Sequence, residues 1–418
     1  MKSRRFFLAG TLLLAGCTRE RDAPADPALA AEIQRIRAID NHAHPVRPVA
    51  GGPPDREFDA LPVDNMEPAS DPLSLRPNAS ATLEAARQFP NKPSLVRDKG
   101  DAYPAWVLDR LGVDIMLANR VAMGSGIQPP RFRWVPYADA LIFPLDNSKL
   151  AARNPDRKAF FALEDALRGR YLREAGLKTP PATLAEYLAR VVTPTLQRHK
   201  QGGALAEKFE AAYLRSLAFD KVDRAAADRI YRQTAPAEAE YKLLQDYLFR
   251  YIATECGRLG MAVHLHSAAG AGSYFNVAGA NPLLLESVLE DPELRKTRFV
   301  MLHAGWPFTR EITALLEKPN AYLDFSAQDL LQTPASLAAD MRQWLEWVPE
   351  KVLFGTDAYP YSDQLGWEES GWIAARTARQ ALALALTGMM RDGEISRDRA
   401  LELARMVLRE NARRLYGL

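Results

Sequence analysis

The 418-residue sequence predicts an α/β fold, a (β/α)8 barrel of the TIM type, on three observations. From residue 261 to 357, short apolar runs alternate strictly with amphipathic stretches of helical spacing. Five of the six histidines fall at the C-terminal ends of predicted strands. The composition, 47% hydrophobic and 25% charged, supplies a large core in a globular chain. Eight βα units would close on themselves rather than leave an open sheet.

Residues 1–17 read as an address rather than as part of the fold. Lys2, Arg4 and Arg5 form a charged n-region, and Phe6 to Gly16 an apolar run about half as long as a spanning helix. Leu14-Ala15-Gly16-Cys17 resembles the lipobox of bacterial lipoproteins, in which the Cys is acylated. Ser3-Arg4-Arg5-Phe6-Phe7-Leu8 resembles a twin-arginine signal, a plain secretory n-region being the alternative. These resemblances imply an exported protein held to the membrane by a lipid anchor at Cys17, on the periplasmic face of the cell envelope. Net charge is +2, and removing the three cations of residues 1–16 leaves −1, so nothing points to a nucleic-acid partner. With Cys17 lipidated, Cys256 has no disulfide partner and reads as a buried small residue.

Residues 18–27 are polar and Pro-containing, a tether. The barrel is expected over 28–418. A short helix at 28–37 feeds the first strand, Arg37 to Asn41. Residues 45–104 hold eleven prolines, too many for regular elements, and read as a long irregular insertion after strand 1, a candidate lid over the barrel mouth. Helix 102–111 leads to strand 113–118, and a third strand lies within 131–143. Residues 158–198 form a helical insertion before strand 4, broken at Thr179-Pro180-Pro181, and strand 4 falls near 203–209. The run 222–259 has helical spacing. Strands then follow at 261–266, 298–303, 321–326 and 351–357. Helices lie at 281–290, 308–317 and 335–348, and two more close the chain from Trp367 to Leu418.

His42, His44, His264, His266 and His303 share the rim where such barrels build their sites; His199 does not. In Asn41-His42-Ala43-His44 the imidazoles are two apart, so both can face the lumen and share one ion. His264 and His266 repeat that spacing. His303 ends the next strand, and Asp357 ends the eighth after Gly355.

This order, a His-x-His pair, two further strand-end histidines and a final aspartate, resembles the amidohydrolase superfamily. LHSAAGAG, NPLLLESVL, VMLHAGWPFTRE, NAYLDFS and EKVLFGTDA resemble its amidohydrolase 2 branch, most closely the domains fused to glutamine-synthetase-like domains. The resemblance covers about 36–44 and 100–418. It implies that His42, His44, His266 and Asp357 ligate a divalent metal, Zn or else Mn, Fe or Co, with one ion rather than two. His266 rather than His264 matches the strand-five ligand, since it directly precedes the small-residue loop. His303 and Asp357 are the implied catalytic pair. Lys208, within Glu207-Lys208-Phe209-Glu210-Ala211-Ala212-Tyr213, matches a strand-four lysine that is carboxylated in some members. It could bridge a second metal, bind a substrate carboxylate or pair with Glu210. His264 could pack, hydrogen-bond or serve a second metal.

Arg120, Arg133 and Arg215 are candidates to hold an anionic substrate, with surface ion pairing as the plainer role. Trp306 and Tyr359 are expected near the rim. The implied chemistry is hydrolysis of a C–N or ester-like bond in a small-molecule substrate. Decarboxylation of a small aromatic acid, and ligand binding without turnover, are the alternatives, and a homo-oligomer is left open.

Overall fold

Parallel strands and the helices between them account for the path of the chain from residue 27 onward. The computed structural model describes residues 24–49, 53–62, 75–76, 78–268, 270, 274–362 and 365–418. The address, Cys17 and most of the tether lie outside the described residues.

The strands are β1 (Ala38–Ala43), β2 (Val113–Asn119), β3 (Phe132–Val135), β4 (Ala206–Phe209), β5 (Ala262–His266), β6 (Phe299–Leu302), β7 (Ala321–Asp324) and β8 (Val352–Leu353). They pair in parallel as β1-β2-β3 and as β4-β5-β6-β7-β8. Backbone hydrogen bonds stitch both seams. Lys208 N bonds Pro136 O at 2.7 Å, Ala138 N bonds Lys208 O at 2.9 Å, and Asn41 N bonds Phe354 O at 2.9 Å. The result is a TIM-barrel-type α/β fold. Strand residues are buried almost throughout, as expected where helices cover the outside and side chains fill the inside.

Three expectations need correcting. The first insertion is not irregular throughout: its described residues include the helices Ser80–Gln88 and Lys92–Lys99. Pro93 and Pro104 sit in first turns, where the missing N–H costs nothing, so the prolines punctuate helices instead of forbidding them. The run 222–259 is two helices, Arg224–Tyr231 and Glu238–Leu259, parted around Pro236. Finally, β8 spans only Val352–Leu353, leaving Asp357 on a turn beyond it. Asp357 takes a left-handed backbone (φ 51°), which an extended strand cannot accommodate. Beyond β8 the chain bonds to β1 instead, Asp357 N to His42 O and His44 N to Ala358 O, both at 2.8 Å.

The insertions leave the C-terminal ends of β1 and β3. The second, between β3 and β4, carries the helix Pro155–Glu174 and a run ending in Thr193–Gln201. Its break spans Thr179-Pro180-Pro181, as the sequence predicts.

Candidate metal centre

β1 and the turn after β8 deliver the first groups together. His42 Nε2 lies 3.1 Å from Asp357 Oδ1, and His44 Nε2 lies 3.5 Å from the same oxygen. Asp357 and His303 (φ 64°) both adopt left-handed backbone without being glycine, as do Ala304 and Ala327. Each such residue costs on the order of 1–3 kcal/mol and persists where surrounding contacts over-determine it. Here those contacts aim the two side chains inward. Thr356 helps by donating to Asp40 through its hydroxyl at 2.6 Å and its N–H at 3.0 Å. Gly355 is required for a separate reason: a Cβ there would collide with Asp324 Oδ2.

Ligand-type atoms of His42, His303 and Asp357 all lie within 4.8 Å of one another, which is compact enough for one ion. His42 is fully buried, and neither ring nitrogen makes a hydrogen bond. Leaving such atoms unmet costs about 1–3 kcal/mol each, so a cation among them fits the donor set. Burial first, and the ammonium of Lys208 next, hold His42 and His266 well below the usual imidazole range. Burial does the same to His303 against the opposing pull of Asp357. Neutral imidazole is the form that ligates a metal.

His303 Nδ1 lies 3.2 Å from Ser326 O and 3.0 Å from Ser326 Oγ, leaving Nε2 as the nitrogen free to ligate. His303 was expected beside the ion; it stands close enough to bind it. His266 stands one ring further out, 4.6 Å from the His303 ring and 4.4 Å from the Tyr213 ring. Its Nε2 lies 3.2 Å from Ala268 O.

His264 turns downward. Its Nε2 meets Tyr416 Oη at 2.6 Å, and that hydroxyl donates to Asn41 Oδ1. Asn41 Nδ2 in turn bonds Asp324 Oδ2 at 2.7 Å, and Asp324 Oδ1 accepts from Ser326 N at 2.8 Å. This buried chain forms the floor beneath the centre and ends against the residue that orients His303. Burial lowers His264 to about 3 and raises Asp324 to about 6.

Lys208 is buried in β4, and it does not reach salt-bridge distance of Glu210 among the described residues. It faces a group of acids of which the sequence marked only Glu210. Asp139, Glu164 and Glu210 are buried, and Asp59 Oδ2 lies 3.8 Å from His44 Nδ1. Burial lifts Asp139 to about 7 and pushes Glu164 and Glu210 well up, each helped by a neighbouring carboxylate. Tyr137 Oη stands 3.2 Å from His44 Nδ1, between these acids and the imidazoles.

The arginines have other work. Arg120 is 1% exposed and paired with Asp55 at 2.8 Å, so it is neither a substrate cation nor a surface pair. Arg215 is spent on Asp246 at 2.6 Å. Arg133 is half-buried on β3. Tyr359 packs 5.4 Å from the His44 ring, as a rim residue should, whereas Trp306 is 41% exposed. Cys256 is fully buried and free, and His199 bonds Glu207 at 2.9 Å. A cavity of about 760 Å³ opens between the segments that follow β1 and β8, lined by Val46, Arg47, Lys92, Tyr103, Pro360 and Trp367 but by none of the metal-centre residues.

Comparison with solved structures places this chain beside a protein from Lactobacillus casei assigned as a metal-dependent hydrolase. The TM-score is 0.64 at 17% identity, covering 93% of this chain and 97% of that one. Glucuronate isomerase from Caulobacter crescentus gives 0.62 at 14% identity, over 95% and 96%. Uronate isomerase from Thermotoga maritima gives 0.51 at 13%, over 93% and 96%. At these identities the likeness is one of fold. Among curated proteins, Protein fluG of Emericella nidulans is 29% identical over 187 residues, 43% of this chain and 20% of that protein, so the chain matches about a fifth of its relative's length. The amidohydrolase family model matches residues 39–418, spanning both seams of the barrel and every histidine at its rim, and the chain therefore belongs to the amidohydrolase family.

Proposed function

We propose that this protein is a metal-dependent hydrolase that cleaves a C–N (amide-like) or ester-like bond in a small molecule. The observation that carries the reading is the convergence of His42, His303 and Asp357 within 4.8 Å around unpartnered imidazole nitrogens. His42, His44, His266 and Asp357 are the proposed ligands, with His303 close enough to join them. Imidazole and carboxylate donors suit Zn first, and also Mn, Fe or Co. Such an ion supplies Lewis acidity for a carbonyl and an acidified water at neutral pH.

The chain's own groups do the rest. Asp357, on its turn beside His42 and His44, takes the proton of the attacking water and returns it to the leaving group. His303, its Nδ1–H given to Ser326 O, presents a lone pair on Nε2 that orients the attacking water. Tyr359 and Phe58, 5.6 Å apart, screen the His44 side from bulk water. Elemental analysis of purified protein tests the metal, with one equivalent per chain expected. Two equivalents would promote Lys208 to a bridging carbamate. A screen of amides, lactones and aryl acids, with Asp357→Asn as control, tests the reaction. Carbon dioxide release from an aromatic acid would replace hydrolysis with decarboxylation.

Residues 1–17 support a place outside the cytoplasmic membrane, tethered by lipid at Cys17 and exported by the twin-arginine or the general secretory route. Among the described residues no helix is long and apolar enough to cross a membrane. Replacing Cys17→Ser should move the protein from the membrane to the soluble fraction.

A further inference from the structure

We propose that the substrate of this centre carries a cationic group, an amine or amidine, seated against a wall of carboxylates on the β3–β4 side of the metal residues. The inference takes its site from the hydrolase reading and names the substrate class.

The wall is built from four elements distant in sequence. Asp59 comes from the first insertion, Asp139 from the turn after β3, Glu164 from the helix Pro155–Glu174, and Glu210 from the end of β4. They are 4%, 0%, 1% and 4% exposed. Both oxygens of Glu164, Oδ1 of Asp139 and Oε2 of Glu210 are buried without a hydrogen-bond partner. Buried carboxylate oxygens of this kind are normally met by a donor. The nearby cations do not supply one. Lys208 stays beyond salt-bridge distance, and Arg168 is committed to Asp165 and to the carbonyls of Phe143 and Leu145.

The wall is continuous with the metal residues. Asp59 Oδ2 lies 3.8 Å from His44 Nδ1, and the Tyr213 ring, in the segment directly after Glu210, lies 4.4 Å from the His266 ring. Asp59 is thus the acid that stands against the metal residues. Among the described residues no three of these carboxyls converge within 4.8 Å, so a bare ion is a poorer fit than a group with diverging N–H bonds. Arg120 and Arg215, two cations that could have met an acid, are already paired. Arg47, Lys92 and Arg97 line a cavity that none of the four acids borders.

Calorimetric titration of the metal-loaded protein with three matched probes tests this. They are N-acetylputrescine (cationic), N-pentylacetamide (neutral) and N-acetyl-γ-aminobutyrate (anionic). The cationic probe should bind about tenfold or more tightly than the neutral one, and the anionic probe weakest. Glu210→Gln and Asp59→Asn should each erase most of that preference while leaving the neutral probe within about twofold. Equal binding of the three probes, preference for the acid, or equal weakening of all three in both variants would overturn the proposal. So would displacement of the cationic probe by millimolar Ca²⁺, which would assign the wall to an ion. If the variants do not fold, the probe series on the unmodified protein decides. Turnover is read separately: a charge preference without cleavage of any amide or ester refutes the hydrolase reading and keeps the wall.

Discussion

His42-Ala43-His44 and His264-Leu265-His266 have the same spacing and opposite fates. Both imidazoles of the first pair reach Asp357. In the second pair only His266 looks toward the centre, while His264 is bonded to Tyr416 on the floor. The difference lies in what each strand meets. β1 ends at Ala43 after a register shift between Asp40 and Ala43, so His44 projects past the ladder, and the turn after β8 runs alongside it. β5 runs in even register between β4 and β6, which leaves His264 one layer deeper. Spacing of two sets the face of a strand; neighbouring strands set the depth, and depth decides the chemistry.

The contrast can be broken most severely at the first pair. His42→Ala should abolish metal retention and lower turnover by about 10³-fold or more, and Asp357→Asn should lose a similar factor in a protein that still melts cooperatively. Full activity in Asp357→Asn would remove it as the proton carrier. His266→Ala, one ring further out, should weaken metal affinity about 10–100-fold without abolishing it, read by competition with a chelator. Tyr416→Phe keeps the ring and deletes the floor hydroxyl; metal stoichiometry should hold and kcat fall by less than about tenfold.

The smallest effect is on pH dependence. His264 titrates near 3 when folded against an ordinary value of 6.5, so between those values the unfolded chain binds the extra proton and stability falls as pH falls. Removing that group with His264→Asn should flatten the acid limb of the metal-free melting curve by at most about 1.4 kcal/mol per pH unit. An unchanged slope would show that the imidazole is not held neutral by the fold.

The C-terminal half of the barrel was legible because each unit there is short and bounded, and the rim histidines stood out because so few exist. The short β8 was not legible, since nothing in Phe354-Gly355-Thr356-Asp357 announces a left-handed aspartate. Arg120 was misplaced because its partner Asp55 lies in the proline-rich insertion, where no periodicity links the two. Removing either partner would strand a buried charge at a cost of about 3–5 kcal/mol, a fold effect rather than a loss of substrate binding. The acid wall was invisible for the same reason, as its members come from four separate segments. Asp324, at a strand end like the histidines, and Glu210, inside the strand-four motif, carried a usable signal.

The Tyr416 hydroxyl has a bearing on time as well as on place. Its bond to Asn41 spans 375 residues and its contact with His264 spans 152, so the floor joins regions of the chain that meet only when the barrel rounds off. The floor is therefore completed by contacts of very long sequence separation, whose closure entropy is met only when the two ends of the chain are brought together.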